Sequence, residues 1–224
     1  MCGRFTINLT YDELEEYVRE TYHIESMPQF TLPQYNVAPG TSIISVLNDG
    51  KKYRIGELKW GFTPSFSTPD KNFQLINIKA ESIFTKPMFK KAALTKRCVI
   101  LADSFYEWDH DKQPYRIMVK DQKIFKMAAI WNTYITSNQE KVHTVGIITT
   151  EANTWMKQVH ERMPVILDED QERLWLTPSI QDESMLVNVL LPHPKDDLYK
   201  YPVTKQINSP KFNTIDCIKD LNQV

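Results

Sequence analysis

The chain is built from short apolar segments separated by turn signals, and this pattern constrains its fold more than any other feature. Segments 42–47 and 52–60 flank Asn48-Asp49-Gly50, a combination typical of a β-hairpin. Further strand-like segments follow at 73–78, 97–108, 115–120, 124–131 and 142–149. This many short strands with few helices predict an α+β fold, with a curled, mostly antiparallel sheet or barrel as its core.

Helical signals are few and lie at the edges of this pattern. Thr10-Tyr-Asp-Glu13 reads as a capping box, followed by apolar residues at helical spacing, and predicts a helix over 11–22. Shorter helices are predicted over 152–159, 168–176 and 182–190, with Asp168 as a cap. The sequence contains no repeat and no evident linker, so we expect a single domain over residues 1–224 with peripheral helices.

Composition excludes several classes of protein. The formal net charge is −1, so nucleic acid can bind only at a local basic patch. Three scattered cysteines and the lack of a C-x-x-C pair argue against a disulfide framework and a metal site. The apolar runs are too short to span a bilayer, and no secretory signal is present. We therefore expect a cytoplasmic protein with no metal and no cofactor.

Cys2 is the first residue whose position suggests chemistry. A small residue at position two permits removal of Met1, which would leave an α-amine and a thiol on adjacent carbons. Their unperturbed pKa values are roughly 8 and 8.5, so part of the amine is neutral near pH 7. Such an aminothiol attacks an aldehyde through nitrogen, and the sulfur then closes a five-membered ring. The competing interpretation is an incidental residue on a frayed terminus.

Three other segments carry groups suited to proton transfer or phosphate binding. Glu107 lies among aromatic residues in Ser104-Phe-Tyr-Glu-Trp, where burial would raise its pKa, although an outward-facing carboxylate fits the alternation as well. His160 can transfer protons near neutral pH, and Arg162 can pair with a phosphate. Asn77 can donate a hydrogen bond to a sugar oxygen. Each of these residues also has a purely structural interpretation when it is taken singly.

Six motifs in a fixed order change this assessment. They are Met-Cys2-Gly-Arg4-Phe5, Asn36-Val-Ala-Pro39, Trp60-Gly61-Phe62, Asn77-Ile-Lys-Ala-Glu81-Ser82, Phe105-Tyr-Glu107-Trp108 and His160-Glu-Arg162-Met-Pro164. Together they resemble the SRAP family, the SOS-response-associated peptidase-like or abasic-site-processing proteins. The resemblance runs from residue 1 to about residue 165 and is weaker near 203–213.

The resemblance implies a specific covalent chemistry. Cys2 would form a thiazolidine with the ring-opened deoxyribose of an abasic site in single-stranded DNA. Asn77 would position the cysteine or the sugar, Glu107 would move protons during imine formation, and His160 would protonate the sugar oxygen. The resemblance also implies a monomer, associated with the nucleoid when it is bound to DNA.

We expect a basic groove to hold the DNA backbone near this pocket. The candidate contacts are Arg4, Lys79, Lys86, Thr149 and Arg162 for phosphates, with Pro39 and Phe66 packing against neighbouring bases. The chain departs from the family pattern at three places. It has Asn77-Ile78-Lys79 for Asn-Ala-Arg, which loses the bidentate guanidinium. Ser104 replaces a usual glycine, and Phe66-Ser67 replaces a region often rich in tryptophan.

Two other functions stay open at this point. Amidohydrolases also use an N-terminal nucleophile that a nearby base activates. A peptidase or an autoprotease that removes Met1 is therefore an alternative. The second alternative is a non-covalent binder of damaged DNA in which Cys2 has no role. Strand incision through the imine, a lyase-like reaction, is an expected side reaction of the first hypothesis.

Overall fold

Thirteen strands and four α-helices make up the described part of the chain, residues 2–64, 67 and 74–223 of a computed structural model. The strands are β1 (Arg4–Ile7), β2 (Gln34–Val37), β3 (Ser42–Asn48), β4 (Tyr53–Trp60), β5 (Asn77–Lys79), β6 (Arg97–Ala102), β7 (Ser104–Trp108), β8 (Pro114–Val119), β9 (Phe125–Ile135), β10 (Lys141–Glu151), β11 (Arg162–Pro164), β12 (Ile166–Leu167) and β13 (Leu198–Pro202). The helices are α1 (Tyr11–Tyr22), α2 (Pro87–Thr95), α3 (Glu169–Leu176) and α4 (Glu183–Asn188).

A closed five-stranded barrel forms the centre of the fold. Its strands follow the order β10-β4-β3-β6-β9, and β9 pairs with β10 to close the ring. Four of the five pairings are antiparallel, and only β10 with β4 is parallel. A second, antiparallel sheet has the order β13-β8-β7-β1-β2. The prediction of an α+β fold with a curled, mostly antiparallel barrel core is therefore confirmed.

Strand β6 of the barrel is buried on both faces, which explains its nearly continuous apolar sequence. All six residues of β6 are buried. Cys98 and Ile100 pack in one cluster with Phe5 and Trp60, whereas Val99 packs in a second cluster with residues of α1 and α3. The division follows the two-residue period of a strand, so β6 separates the two cores.

The N-terminal segment is a central strand of the second sheet. β1 pairs with β2 on one side and with β7 on the other, and Phe5 lies opposite Phe105. The Phe5 ring packs against Trp60 of the barrel at a centroid distance of 5.4 Å. A chain end that is anchored on both edges and packed in a core does not fray, so Cys2 occupies a defined position.

Three of the predicted helices are present with the expected caps. Thr10 and Glu13 form the capping box of α1, Asp168 caps α3, and the Asp182 side chain accepts hydrogen bonds at the start of α4. Helix α2 was not predicted, although Pro87 at its first turn is a helix-start signal. None of the helices in the described ranges has the length and apolar character needed to cross a membrane.

The prediction of a helix over 152–159 is wrong. This segment connects β10 to β11, which pair antiparallel with Glu151 opposite Arg162, and it holds only a one-turn 3-10 helix, Met156–Gln158. Asn153 Oδ1 accepts a hydrogen bond from the Met156 amide at 2.8 Å. The chain must return to the same sheet within ten residues, and this requirement outweighs the local helical pattern.

Two predicted strands have different limits in the structure. Segment 97–108 is split at Asp103, where the chain leaves the barrel as β6 and enters the second sheet as β7. The Asp103 carboxylate binds the Thr6 hydroxyl, the Asn8 amide and the Arg116 guanidinium, which fixes this change of sheet. Of segment 73–78, Phe73 lies outside the described residues, and the strand covers Asn77–Lys79.

Candidate functional site

Cys2 lies where β1 meets the barrel, and its side chain is fully buried. It packs in the same cluster as Phe5, Phe105 and Ile147. Asn77, the first residue of β5, donates a hydrogen bond from Nδ2 to the Cys2 carbonyl oxygen at 2.9 Å. The Asn77 Oδ1 atom is buried and has no hydrogen-bond partner among the described residues. Asn77 therefore fixes the backbone of Cys2 and has an acceptor available for a further donor.

Glu107 reaches the same place from the neighbouring strand. Because β7 alternates, Tyr106 points away and donates its hydroxyl to the Tyr35 and Cys217 carbonyls, whereas Phe105 packs with Cys2. Glu107 is only 2% exposed, so the interpretation of an outward-facing carboxylate is wrong. Burial raises the pKa of Glu107 to about 7, which suits a group that accepts and returns a proton near neutral pH.

The thiol of Cys2 is held in its neutral form by the same surroundings. Burial raises the pKa of Cys2 far above its ordinary value, and the charge of Glu107 raises it further. The site therefore does not stabilise a thiolate, which is the nucleophilic form of cysteine.

His160 is half-buried immediately before β11, and its imidazole is oriented by the backbone. The Arg162 amide donates to His160 Nδ1 at 2.9 Å. With Nδ1 as an acceptor, the proton of the neutral ring lies on Nε2. Burial lowers the pKa of His160, which favours this neutral form. The result is an imidazole that presents an N–H donor from its outer nitrogen.

Arg162 is fixed by a residue to which the sequence assigned no role. Its Nη1 and Nη2 atoms donate to the two carboxylate oxygens of Glu81 at 2.7 and 3.0 Å, and Nη2 also donates to the Thr149 carbonyl at 2.6 Å. Its Nε atom is buried and has no hydrogen-bond partner in the described ranges. The only signal for Glu81 was an acidic residue within the Asn77–Ser82 motif.

The candidate DNA contacts differ in how the structure places them. Lys79 and Lys86 are exposed on the surface that leads from Asn77 to α2, and Pro39 is exposed beside the turn at Gly40. Thr149 is fully buried and offers its carbonyl to Arg162, so its hydroxyl is not at the surface. Phe66 lies outside the described residues.

Arg4 is bound to the C-terminal part of the chain. Its Nη1 atom donates to Asn36 Oδ1 at 2.8 Å and to the Ile207 carbonyl at 2.6 Å, and Nη2 donates to the Asn208 carbonyl at 3.1 Å. Burial lowers the pKa of Arg4. In this arrangement the guanidinium joins β1 to the segment around Ile207, and a phosphate contact stays a prediction.

Two of the six motifs contain residues that stabilise the fold around the site. The buried Asn36 donates from Nδ2 to the carbonyls of Ile207, Ser209 and Phe212, which attaches the C-terminal segment to β2. Trp60 is fully buried and donates from its indole to the Ile76 carbonyl at 2.9 Å, one residue before Asn77. Residues of these motifs therefore stabilise the segments on which the site residues lie.

Together, these groups can bind and convert a small electrophile. A carboxyl with a pKa near 7 and a carboxamide lie beside Cys2, and a neutral imidazole is held just before β11. Within the described residues, no group of three or more His, Cys, Asp and Glu side chains could hold a metal ion.

The fold and the site define a closed-barrel α+β protein that buries a near-terminal cysteine against a carboxyl and a carboxamide group. The family model described as SOS response associated peptidase (SRAP) matches residues 1–210, and the chain belongs to this family.

Relatives named as abasic site processing proteins come from bacteria and animals. The abasic site processing protein YoaM of Bacillus subtilis is 38% identical over 230 residues, covering 100% of both chains. The abasic site processing protein HMCES of Rattus norvegicus is 29% identical over 272 residues, covering 97% of this chain and 75% of that protein. A crystal structure of a protein from Bacteroides thetaiotaomicron shares the fold, with a TM-score of 0.85, 24% identity and coverage of 98% and 99%.

Proposed function

We propose that this protein, after removal of Met1, bonds covalently through Cys2 to the aldehyde of an abasic site in single-stranded DNA. The observation that carries the proposal is the hydrogen bond from Asn77 to the Cys2 carbonyl, which holds the cysteine beside the buried Glu107. The relatives named abasic site processing proteins support the same substrate.

The proposed reaction forms two bonds and releases one water molecule. The α-amine of Cys2 attacks C1′ of the open sugar, and the resulting carbinolamine loses water to give an imine. The thiol sulfur then adds to the imine carbon, the thiol proton leaves, and the imine nitrogen gains a proton. The product is a thiazolidine, with C–N and C–S bonds to the same sugar carbon. Since the thiol is neutral at the start, the amine attacks first.

Glu107 is the group that transfers protons in this scheme. With a pKa of about 7, it takes a proton from the ammonium or carbinolamine and returns it to the departing hydroxyl. Asn77 holds the Cys2 backbone and offers its Oδ1 to the new amine. His160 donates from Nε2 to the sugar oxygen as the ring opens.

The DNA backbone would run along the basic surface beside this pocket. Arg162, Lys79 and Lys86 are the proposed phosphate contacts, and Pro39 would pack against a neighbouring base. An abasic nucleotide has no base to unstack, so turning it toward Cys2 requires less energy than flipping a paired base. We propose that the protein acts as a monomer in the cytoplasm and associates with the nucleoid when it is bound.

Denaturing electrophoresis with intact-mass measurement tests the proposal. Protein with Met1 removed should give a stable adduct with abasic single-stranded DNA, at the summed mass less one water. Cys2→Ala keeps the amine, so it should give an adduct only after borohydride reduction of the imine. Cys217→Ala, a cysteine in another cluster, is the control and should crosslink like the wild type.

Other outcomes would support the alternatives. A stable adduct with Cys2→Ala would overturn the role of the sulfur, and unchanged binding without any adduct would indicate a non-covalent binder. Cys2-dependent cleavage of an unrelated peptide would support the peptidase. The raised pKa of Cys2 argues against that last outcome, because a peptidase needs an accessible thiolate. Strand incision would appear as a shortened oligonucleotide.

A further inference from the structure

A second basic site lies on α2, away from Cys2. Between this helix and β9 there is a cavity of about 190 Å³ with Phe62 and Met88 among its lining residues. Lys91, Lys96 and Asn132 provide its polar groups. Among the described residues that line it, none carries a carboxylate.

Among the described residues, no carboxylate is paired with either lysine. Lys96 Nζ donates to Asn132 Oδ1 at 2.9 Å and lies 5.1 Å from the centre of the Trp131 ring. Burial lowers the pKa of Lys96, and the charge of Lys91 lowers it further, so the two ammonium groups repel each other. In the described part of the chain, neither lysine forms an ion pair. An anion between them would relieve this repulsion.

The neighbouring lysine of the same helix shows the contrast. Lys90 is paired with Glu183 Oε1 at 2.7 Å. Lys91 lies next to Lys90 and also lines a groove that contains Glu183, but the Glu183 carboxylate is paired with Lys90. The chain has a net charge of −1, so two lysines without an ion pair are not a consequence of a basic composition.

The two unpaired lysines follow Lys86, a proposed DNA contact, along α2. Lys86 is the N-cap residue of α2, Lys91 lies within the helix, and Lys96 is its C-cap residue. We infer that the Lys91–Lys96 cavity binds a phosphodiester group of single-stranded DNA, outside the abasic nucleotide. This inference rests on the proposed function, and it extends the strand path from Lys79 past Lys86 to the far end of α2.

Salt-dependent binding tests this inference independently of the covalent reaction. The probes are two single strands that carry a tetrahydrofuran analogue of the abasic site, which has no aldehyde and cannot crosslink. The long strand can extend to the far end of α2, and the short strand cannot. For the long strand, Lys91→Ala should weaken binding and reduce the slope of log K against log salt by about 0.7, the value for one phosphate of a single strand. For the short strand, the affinity and slope should not change.

Lys90→Ala removes a lysine that is already paired with Glu183, and it is the matched control. It should leave the salt slope unchanged for the short and the long strand. An equal loss of affinity for Lys90→Ala and Lys91→Ala would overturn the inference. An unchanged salt slope for both Lys91→Ala and Lys96→Met would overturn it as well. Binding of inorganic phosphate at Lys91 without an effect on DNA would assign the cavity to a free anion instead. Failure of the wild type to crosslink a short abasic strand would refute the proposed function and leave the salt result standing.

Discussion

Glu107→Gln should remove a pH-dependent loss of stability that the wild-type protein carries. The side chain is 2% exposed, and burial raises its pKa from 4.5 to about 7. The folded protein thus holds the proton more tightly than the unfolded chain does. The stability contributed by this proton is fully present below pH 4.5 and is lost as the pH rises through 7.

The size of the effect follows from the difference between the two pKa values. One pKa unit corresponds to about 1.4 kcal/mol, so the full shift corresponds to about 3 kcal/mol. Glutamine has nearly the shape of the protonated acid and cannot ionise. Relative to the wild type, the free energy of unfolding of the variant should therefore increase by about 3 kcal/mol between about pH 4 and about pH 8.

Urea denaturation of both proteins across this pH range measures the difference directly. Glu57→Gln, on the exposed side of β4, is the control and should show a constant difference from the wild type. A constant difference for Glu107→Gln as well would refute the assignment of a raised pKa. In the crosslinking assay, the rate of the wild type should change through pH 7, and the variant should be slower and lack this step.

Three further substitutions test the packing around the site by denaturant unfolding. Gly146→Ala would place a Cβ atom 2.7 Å from the buried Ile78 side chain and should destabilise the protein by about 1–3 kcal/mol. The control is Gly56→Ala, whose Cβ atom would meet nothing within 4 Å, and equal losses of stability for the two variants would contradict this packing. Asp103→Ala leaves the buried guanidinium of Arg116 without its partner and should lose about 3–5 kcal/mol, so a near-neutral result would exclude a structural ion pair. Thr10→Ala removes the cap of α1 and should lose about 1 kcal/mol, and unchanged stability would show that the cap contributes nothing.

Local features of the sequence predicted most of the secondary structure. The hairpin around Asn48-Asp49-Gly50 and the cap of α1 depend on residues close in the chain, and both are confirmed. The failures occur where distant contacts decide. Segment 152–159 has a helical pattern, but its ends are held by the pairing of β10 with β11. At Asp103 the chain changes sheets because three partners from other segments bind its carboxylate.

The candidate site shows the same division. Motif order singled out Cys2, Asn77, Glu107 and His160, and the roles proposed for them stay predictions. The structure adds the hydrogen bond between Asn77 and Cys2 and the orientation of His160 by the Arg162 amide. No pattern along the chain indicated that Glu81 would hold Arg162, because the two residues are far apart in sequence.

By itself, the sequence determined the alternation of β7 and the chemical groups available at the second position of the chain. Alternation placed Glu107 on the face shared with Phe105, but it could not tell whether that face was buried. Only the tertiary structure decided this, by pairing β7 with β1 and packing both against the barrel. The physical reason is that a pKa depends on solvation and on neighbouring charges, which are set by packing between segments and not by the residue itself.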